Sequence, residues 1–268
     1  MGTMTVEQII VIAVVQGITE FLPISSSGHL VLVPYLLHWP DQGQFVDVMV
    51  HVGTLFAILI YFWRDVWKLI LGALELFRGK VTQDGKLAIY ILLATIPAVA
   101  FGLFLKKFGF GDLERSVTIV AWNTVIYGIL MLVADMVGKQ EKTMENMTLK
   151  SALFIGVAQA LALIPGTSRS GVTMTAARFL NYTRPDAARF SFLLGIPAIA
   201  GAGVLTVGEA LAAGDTITMD SIYCAILTFF AGLAAIAFLM ALVRRISFLP
   251  FVLYRMVLGG FLLFMIYS

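Results

Sequence analysis

The sequence has little charge and almost no cysteine, and both shortages limit what the protein can be. Only 13% of its 268 residues are charged, while 60% are apolar and the mean hydropathy is +0.94. Such a composition does not suit a water-exposed surface, so most of the chain should face lipid. A net charge of +2 provides no basic field to recruit nucleic acid. Cys224 is the only cysteine, which excludes an intrachain disulfide and a cysteine-based metal site.

Two common sequence signals are also missing. No Walker-type run (Gly-x-x-x-x-Gly-Lys followed by Ser or Thr) occurs, which excludes a nucleotide cradle of that kind. The first residues lack the basic region of a cleaved signal peptide, and no small-residue cleavage site follows. We therefore expect the first apolar segment to be retained.

Apolar runs long enough to cross a membrane dominate the rest of the chain. A helix needs about 20 residues to cross roughly 30 Å of hydrocarbon. Six runs meet this requirement, near residues 45–63, 87–105, 116–137, 188–207, 221–243 and 250–267. The sequence therefore predicts an all-α integral membrane protein with six full transmembrane helices, in a single transmembrane domain over residues 1–268.

Two further apolar segments, about 6–37 and 149–180, are too long for one span and are interrupted by proline, glycine and hydroxyl residues. The interruptions read LPISSSGH (Leu22–His29, the first break) and IPGTSRSG (Ile164–Gly171, the second break). Three spans follow each broken segment. If both segments are re-entrant hairpins, this odd number turns the second half upside down. We therefore predict an inverted-topology repeat with halves of about 6–137 and 149–268.

The basic residues favour re-entrant segments, because full crossings would divide the basic clusters between the two faces. With re-entrance, one set of connections holds Arg64, Lys68, Arg78, Lys80, Lys86, Lys139, Lys142, Lys150, Arg178, Arg184, Arg189, Arg244 and Arg245. The opposite set holds Lys106, Lys107 and Arg115. By the positive-inside rule the first set is cytoplasmic, which leaves both termini outside.

Two breaks that enter from opposite faces can meet near the midplane, where irregular backbone must be buried or line a wet cavity. Gln16 and Glu20 lie four residues apart and therefore share one face of a helix. Arg169 costs about 2.5–3.5 kcal/mol in an apolar segment on insertion scales and needs a partner. An isolated Arg169–Glu20 ion pair is one interpretation. The polar residues brought together would be Gln16, Glu20, Ser25, Ser26, Ser27, His29, Ser168, Arg169, Ser170 and Thr173.

The contiguous hydroxyls indicate more than an ion pair. Small residues usually serve helix packing in membranes, but hydroxyls that follow a proline should sit on a turn and cap the next helix. Two helix N-termini with free amides, facing one arginine, favour phosphate or pyrophosphate. His29, close to Glu20 across the turn, is a candidate base or nucleophile. For His51 we expect a structural hydrogen bond, and for Arg255 snorkelling or an internal partner.

The segment Gln16–His29 resembles the first signature of the undecaprenyl pyrophosphate phosphatases linked to bacitracin resistance, Glu/Gln-x-x-x-Glu followed by Pro-x-Ser-Ser-x-Gly-His. Pro165–Thr173 is similar to their second signature, Pro-Gly-x-Ser-Arg-Ser-Gly-x-Thr, and Arg245–Phe251 with Tyr254 and Arg255 to their C-terminal stretch. The resemblance implies hydrolysis of undecaprenyl pyrophosphate to the monophosphate at the outer face of the bacterial plasma membrane, which recycles the lipid carrier for cell-wall polymers.

The resemblance also implies roles for single residues. Glu20 and His29 would be the catalytic pair, Ser26 the motif serine and Arg169 the phosphate clamp, with a divalent cation, Mg²⁺ or Ca²⁺, on Glu20. Gln16 replaces a carboxylate, so diphosphate oxygens would supply more of the coordination. The substrate-binding residues would be Gln16, Ser25, Ser27, Ser168, Ser170 and Thr173.

The residues leave three routes of attack open. Ser26 could attack with His29 or Glu20 as base, water could attack after activation by His29, or His29 could itself be the nucleophile. A transporter or flippase of a lipid phosphate is the competing class, because inverted repeats with broken helices also build transporters. The expected partners are a polyprenyl diphosphate and membrane lipids, with no nucleic acid. The oligomeric state stays open, a homodimer included.

Overall fold

Helices form nearly all of the structure, a computed structural model that describes residues 4–108, 116–212 and 218–268 (for Gln44 and Leu211 the backbone alone). Within these ranges one isolated bridge, Lys142 with Tyr182, is the sole strand-like pairing. The all-α prediction is confirmed. The α-helices are α1 (Val6–Thr19), α2 (Ser26–Leu37), α3 (Gly43–Tyr61), α4 (Trp63–Phe77), α5 (Gln83–Lys107), α6 (Val117–Val137), α7 (Leu149–Leu161), α8 (Arg169–Phe179), α9 (Arg184–Ala212), α10 (Met219–Leu242) and α11 (Leu249–Tyr267).

Five of the described helices, α5, α6, α9, α10 and α11, are each long and apolar enough to cross a membrane. The number rises to six if α3 and α4 count as one bent span. Each of the six predicted runs falls on one of these helices, with the run near 45–63 on α3. The chain is therefore a multi-pass membrane protein with five to six spans in its described part.

Helix α4 was not predicted. It leaves α3 at an angle of 82° after Phe62, whose φ of −98° and ψ of 26° interrupt the helix. Gly72 packs closely on Gly85 of α5, whereas Trp63 and Trp67 are exposed on α4. An amphipathic helix at this angle to a span suits the boundary between lipid and water.

Both interrupted segments consist of a helix, a break and a second helix, as the sequence predicts. The second helix of each segment begins after a serine in the left-handed region, Ser25 (φ 76°) or Ser168 (φ 74°). Each hydroxyl caps its helix by accepting from a backbone N–H, that of Gly28 at 3.3 Å and that of Gly171 at 3.1 Å. A non-glycine residue at this φ costs about 1–3 kcal/mol, which the surrounding structure must offset.

The two ends of the second broken segment lie together. Tyr182 Oη, beyond α8, donates to Asn146 O, just before α7, at 3.2 Å. Lys142 N donates to Asn181 O at 3.0 Å. The segment therefore returns to the end of the bundle from which it started. Re-entry into a membrane and the inverted repeat itself stay predictions.

Glycines let the first helix of each broken segment pack closely on a long helix. A Cβ at Gly17 of α1 would lie 2.5 Å from Ala231 Cβ of α10. A Cβ at Gly156 of α7 would collide with the carbonyl of Ala94 in α5. Close approach of this kind is typical of helix pairs in membranes. It fixes both broken segments against the bundle.

We expect Gly156→Ala to lower stability by about 1–3 kcal/mol, because the obstructing atoms belong to a helix backbone that cannot turn aside. The readout is the apparent Tm from tryptophan fluorescence in detergent. Gly260→Ala is the matched control, since nothing lies within 4 Å of a Cβ there. Equal Tm values for the two variants would contradict this account of the packing.

Candidate active site

Glu20, in the turn after α1, joins the two broken segments. Its Oε1 accepts from Arg169 Nη2 at 2.8 Å. Its Oε2 accepts from Ser26 Oγ at 2.6 Å and from Gln16 Nε2 at 3.2 Å. Glu20 is 6% exposed, so this ion pair lies in the interior. The predicted convergence of the two breaks is present in the structure.

A second contact joins the breaks directly, because Ser170 Oγ donates to Leu22 O at 3.2 Å. Behind it, Thr173 Oγ1 donates to Arg169 O at 2.8 Å and lies 2.6 Å from Ser191 Oγ of α9. Ser170 and Thr173, predicted to bind substrate, thus use their hydroxyls within the protein here. Together they fix the backbone from which Arg169 extends.

The Arg169 guanidinium packs against helix α9. Nη1 donates to Ser191 O at 3.1 Å, and a Cβ at Gly195 would lie 2.7 Å from Cζ. Neither α9 residue was among those predicted from the sequence. Nε of Arg169 is buried and has no hydrogen-bond partner among the described residues. One donor of the guanidinium fork therefore has no partner within the described part of the protein.

The remaining predicted hydroxyls surround the N-termini of α2 and α8. Ser25 Oγ lies 3.4 Å from Ser27 Oγ, and Ser168 Oγ lies 3.4 Å from Ser170 Oγ. Ser25 and Ser168 are buried and act as helix caps, whereas Ser26 and Ser27 are partly exposed. Ser26 and Ser27 are thus the first-break hydroxyls that a ligand can reach.

His29 is paired with Tyr254 of α11. Its Nδ1 lies 2.6 Å from Ser25 O, and because a carbonyl only accepts, Nδ1 carries the proton. Nε2 lies 2.6 Å from Tyr254 Oη, within hydrogen-bond distance, and the two rings are stacked at an interplanar angle of 15°. The hydrogen bonds of His29 thus go to Ser25 and Tyr254, while Ser26 bonds to Glu20.

His51 of α3 is the histidine that faces Glu20. The expected structural hydrogen bond is present, with Nδ1 at 2.6 Å from Asp47 O. The other ring nitrogen, Nε2, lies 3.5 Å from Glu20 Oε2. His51 was not among the site residues predicted from the sequence. A histidine inside an apolar span does point toward the protein interior, because polar residues in such spans usually face it.

Gln16 and Glu20, on one helix face, are the side chains that would contribute oxygens to a divalent-cation site. Gln16 Oε1 is buried and has no partner among the described residues, and Glu20 Oε2 lies one turn further along. Mg²⁺ and Ca²⁺ prefer such oxygen ligands. In the described ranges no group of three or more His, Cys, Asp or Glu side chains could hold a metal, so phosphate oxygens would have to complete the coordination.

Fold and site together define a class: a multi-pass helical membrane protein with a buried polar site between two helix breaks. The chain belongs to the BacA family, because the family model described as bacitracin resistance protein BacA matches residues 9–261. This confirms the resemblance inferred from the signatures.

Relatives match over nearly their whole length. The chain is 49% identical to an undecaprenyl-diphosphatase of Erythrobacter litoralis strain HTCC2594, with 97% of this chain and 99% of that protein covered. It is 48% identical to an undecaprenyl-diphosphatase of Jannaschia sp. strain CCS1 and 45% identical to one of Alteromonas mediterranea. Both of these alignments cover 99% of this chain and 100% of the relative.

We expect Gly195→Ala to weaken the binding of inorganic pyrophosphate about tenfold, equivalent to about 1.4 kcal/mol. The added methyl group would occupy space that the Arg169 guanidinium fills and push it away from Glu20. Isothermal titration calorimetry in detergent measures the affinity. Gly201→Ala, in the same helix but with open space around the new Cβ, should bind as the wild type does. Unchanged affinity in Gly195→Ala would show that the position of the Arg169 guanidinium against α9 does not affect the binding of pyrophosphate.

Proposed function

We propose that this protein hydrolyses undecaprenyl pyrophosphate to undecaprenyl phosphate and inorganic phosphate. One observation carries the proposal: Glu20 accepts a 2.6 Å hydrogen bond from Ser26 Oγ while its other oxygen binds Arg169. A hydroxyl, a carboxylate and a guanidinium in direct contact supply a nucleophile, a proton acceptor and a phosphate clamp. The name shared by the relatives, undecaprenyl-diphosphatase, supports the same reaction.

The diphosphate would bind between the two breaks. Arg169 offers its unpartnered Nε and a share of its Nη groups to the phosphate oxygens, in the fork geometry that suits them. The free amides at the N-termini of α2 and α8 add donors and positive potential. The polyprenyl tail stays in lipid, against the apolar side chains exposed on the spans.

Of the three routes, the geometry best supports attack by Ser26 with Glu20 as base. Ser26 Oγ forms a bond to the terminal phosphorus and passes its proton to Glu20 Oε2, while the bond from phosphorus to the bridging oxygen breaks and undecaprenyl phosphate leaves. Water then attacks the phosphorus of the phosphoserine as the bond from Ser26 Oγ to phosphorus breaks. The proton held by Glu20 returns to Ser26 Oγ, and the water's own protons leave with the released inorganic phosphate. His29 is less well placed to attack, because Tyr254 Oη occupies its Nε2.

A divalent cation, Mg²⁺ or Ca²⁺, would be held by Gln16 Oε1 and substrate oxygens beside the Glu20 carboxylate, whose Oε2 remains the proton acceptor for Ser26. When bound it would neutralise charge on the diphosphate. We propose that the site opens to the outer face of the bacterial plasma membrane, as the family resemblance implies. There the reaction would return the lipid carrier to cell-wall synthesis.

Purified protein in detergent should release inorganic phosphate from undecaprenyl pyrophosphate when Mg²⁺ or Ca²⁺ is present, and chelation by EDTA should abolish the release. A phosphate assay measures the release. Light scattering on the same sample separately tests whether the protein is a homodimer, which the sequence allows. Absence of release, combined with uptake of the lipid phosphate into protein-containing liposomes, would favour the transporter instead.

Ser26→Ala should lower the rate of phosphate release at least about 10³-fold, because it removes the attacking oxygen. Rapid quench with substrate labelled in the terminal phosphate should trap the label on Ser26 of the wild type. Ser151→Ala, at a serine of α7 that is also partly exposed but lies outside both breaks, is the matched control and should retain most activity. Label recovered on His29, or no covalent label at all, would exclude the Ser26 route.

A further inference from the structure

Arg255 of α11 is completely buried, and its hydrogen-bond partners among the described residues are all backbone carbonyl oxygens. Nε donates to Thr124 O at 3.0 Å, and Nη1 to Pro23 O at 3.3 Å. Nη2 donates to Asn123 O at 3.1 Å and to Gly166 O at 2.9 Å. The arginine ion pairs in the described ranges belong to other arginines. Of the two expectations for Arg255, internal partners are present and snorkelling is not.

The four carbonyl oxygens come from three separate parts of the chain. Pro23 lies in the first break, Gly166 in the second break, and Asn123 and Thr124 in α6. A guanidinium can join them because its five N–H groups spread in one plane, which no other side chain offers. One side chain therefore links both breaks to a spanning helix. Each buried carbonyl that lost its donor would cost about 1–3 kcal/mol.

The surrounding residues leave room for this linkage. A Cβ at Gly128 of α6 would lie 3.2 Å from Arg255 Cβ and 3.5 Å from its Nε. Gly166 has φ 85°, and a Cβ there would lie 2.5 Å from Val120 O of α6. Asn123 Nδ2 also donates to Pro165 O at 2.8 Å. The second break is thus held against α6 at the point where Arg255 reaches it.

The other two links between the breaks differ in kind. The Arg169–Glu20 ion pair involves groups that the diphosphate engages under the proposed function, so the substrate itself alters that link. The bond from Ser170 to Leu22 O is a single neutral hydrogen bond. Arg255 makes more hydrogen bonds than either, with all of its acceptors in the backbone.

We propose that Arg255 is a positioning residue that sets the spacing between the two breaks, and with it the distance from the Ser26–Glu20 pair to Arg169. The proposal rests on the proposed function. Arg255 touches no substrate atom and acts through the carbonyls of Pro23 and Gly166. Misplacing reacting groups by about 1 Å can cost about 10²-fold in rate, so this spacing governs turnover.

Arg255→Lys tests the proposal, because lysine keeps the charge but carries its N–H groups on a single atom that cannot span three parts of the chain. We expect kcat for phosphate release to fall about 10- to 100-fold, with KM within about threefold of the wild type. Hydrogen exchange followed by mass spectrometry should show faster exchange in both breaks together. Arg244→Lys, at an exposed arginine between α10 and α11, is the matched control and should change neither measurement.

Hydrogen exchange does not require catalysis, so it separates the two hypotheses. A wild-type protein that releases no phosphate contradicts the proposed function, while exchange in the two breaks still decides the role of Arg255. Normal exchange in both breaks of Arg255→Lys overturns the proposal, as does faster exchange spread over all helices. If that variant does not fold, Gly128→Ala should give the same joint increase, because its Cβ would lie 2.5 Å from Met256 Cε and 3.2 Å from Arg255 Cβ and so crowd this part of α11. Absence of that increase would overturn the proposal.

Discussion

The contact between Glu20 and Arg169 is the constraint on which the arrangement of this protein depends. Each charge alone in an apolar interior would cost several kcal/mol, so each needs the other. They lie on separate broken segments, 149 residues apart in the chain. Pairing them therefore requires both breaks to meet, and the capping serines, the contacts to Ser191 and the close helix packing all serve that meeting. The cost of burying charge thus organises the bundle around one polar centre.

The Glu20 carboxylate does more than pair with Arg169. Its Oε2 also accepts from Ser26 and lies near His51, so Arg169 and Ser26 share one carboxylate. In the proposed mechanism the arriving diphosphate competes for Arg169. The guanidinium charge is then divided between substrate and Glu20, which leaves the carboxylate a better proton acceptor as Ser26 attacks. Binding and activation would be coupled through a single side chain.

The sequence predicted the features that depend on local residue patterns or on the free-energy cost of burying a charged side chain. Long apolar runs indicated the spans, proline and serine runs indicated the breaks, and a buried arginine required a partner such as Glu20. Helix α4 was missed because its 15 residues include four charged side chains and are too few to form a long apolar run. His51, Ser191 and Gly195 were missed because only the packing of α3 and α9 shows which of their faces meets the breaks. For the same reason sequence could not show that the His29 ring turns to Tyr254.

The two broken segments share the order of helix, break and second helix, but their functional side chains differ. At an offset of 143 residues Glu20 corresponds to Leu163 and Ser26 to Arg169, so one segment supplies the carboxylate and hydroxyl and the other the cation. Both amide atoms of Gln159 lack a partner among the described residues, and no carboxylate follows it one turn on to accept from its Nε2. The two phosphorus atoms of the diphosphate also have different roles: the terminal one is attacked, and the other leaves as part of the polyprenyl phosphate. Two identical breaks could bind it, but only unlike breaks can hold it and attack it at the same time. The matched polar pairs are Gln16 with Gln159, Ser25 with Ser168, and Ser27 with Ser170.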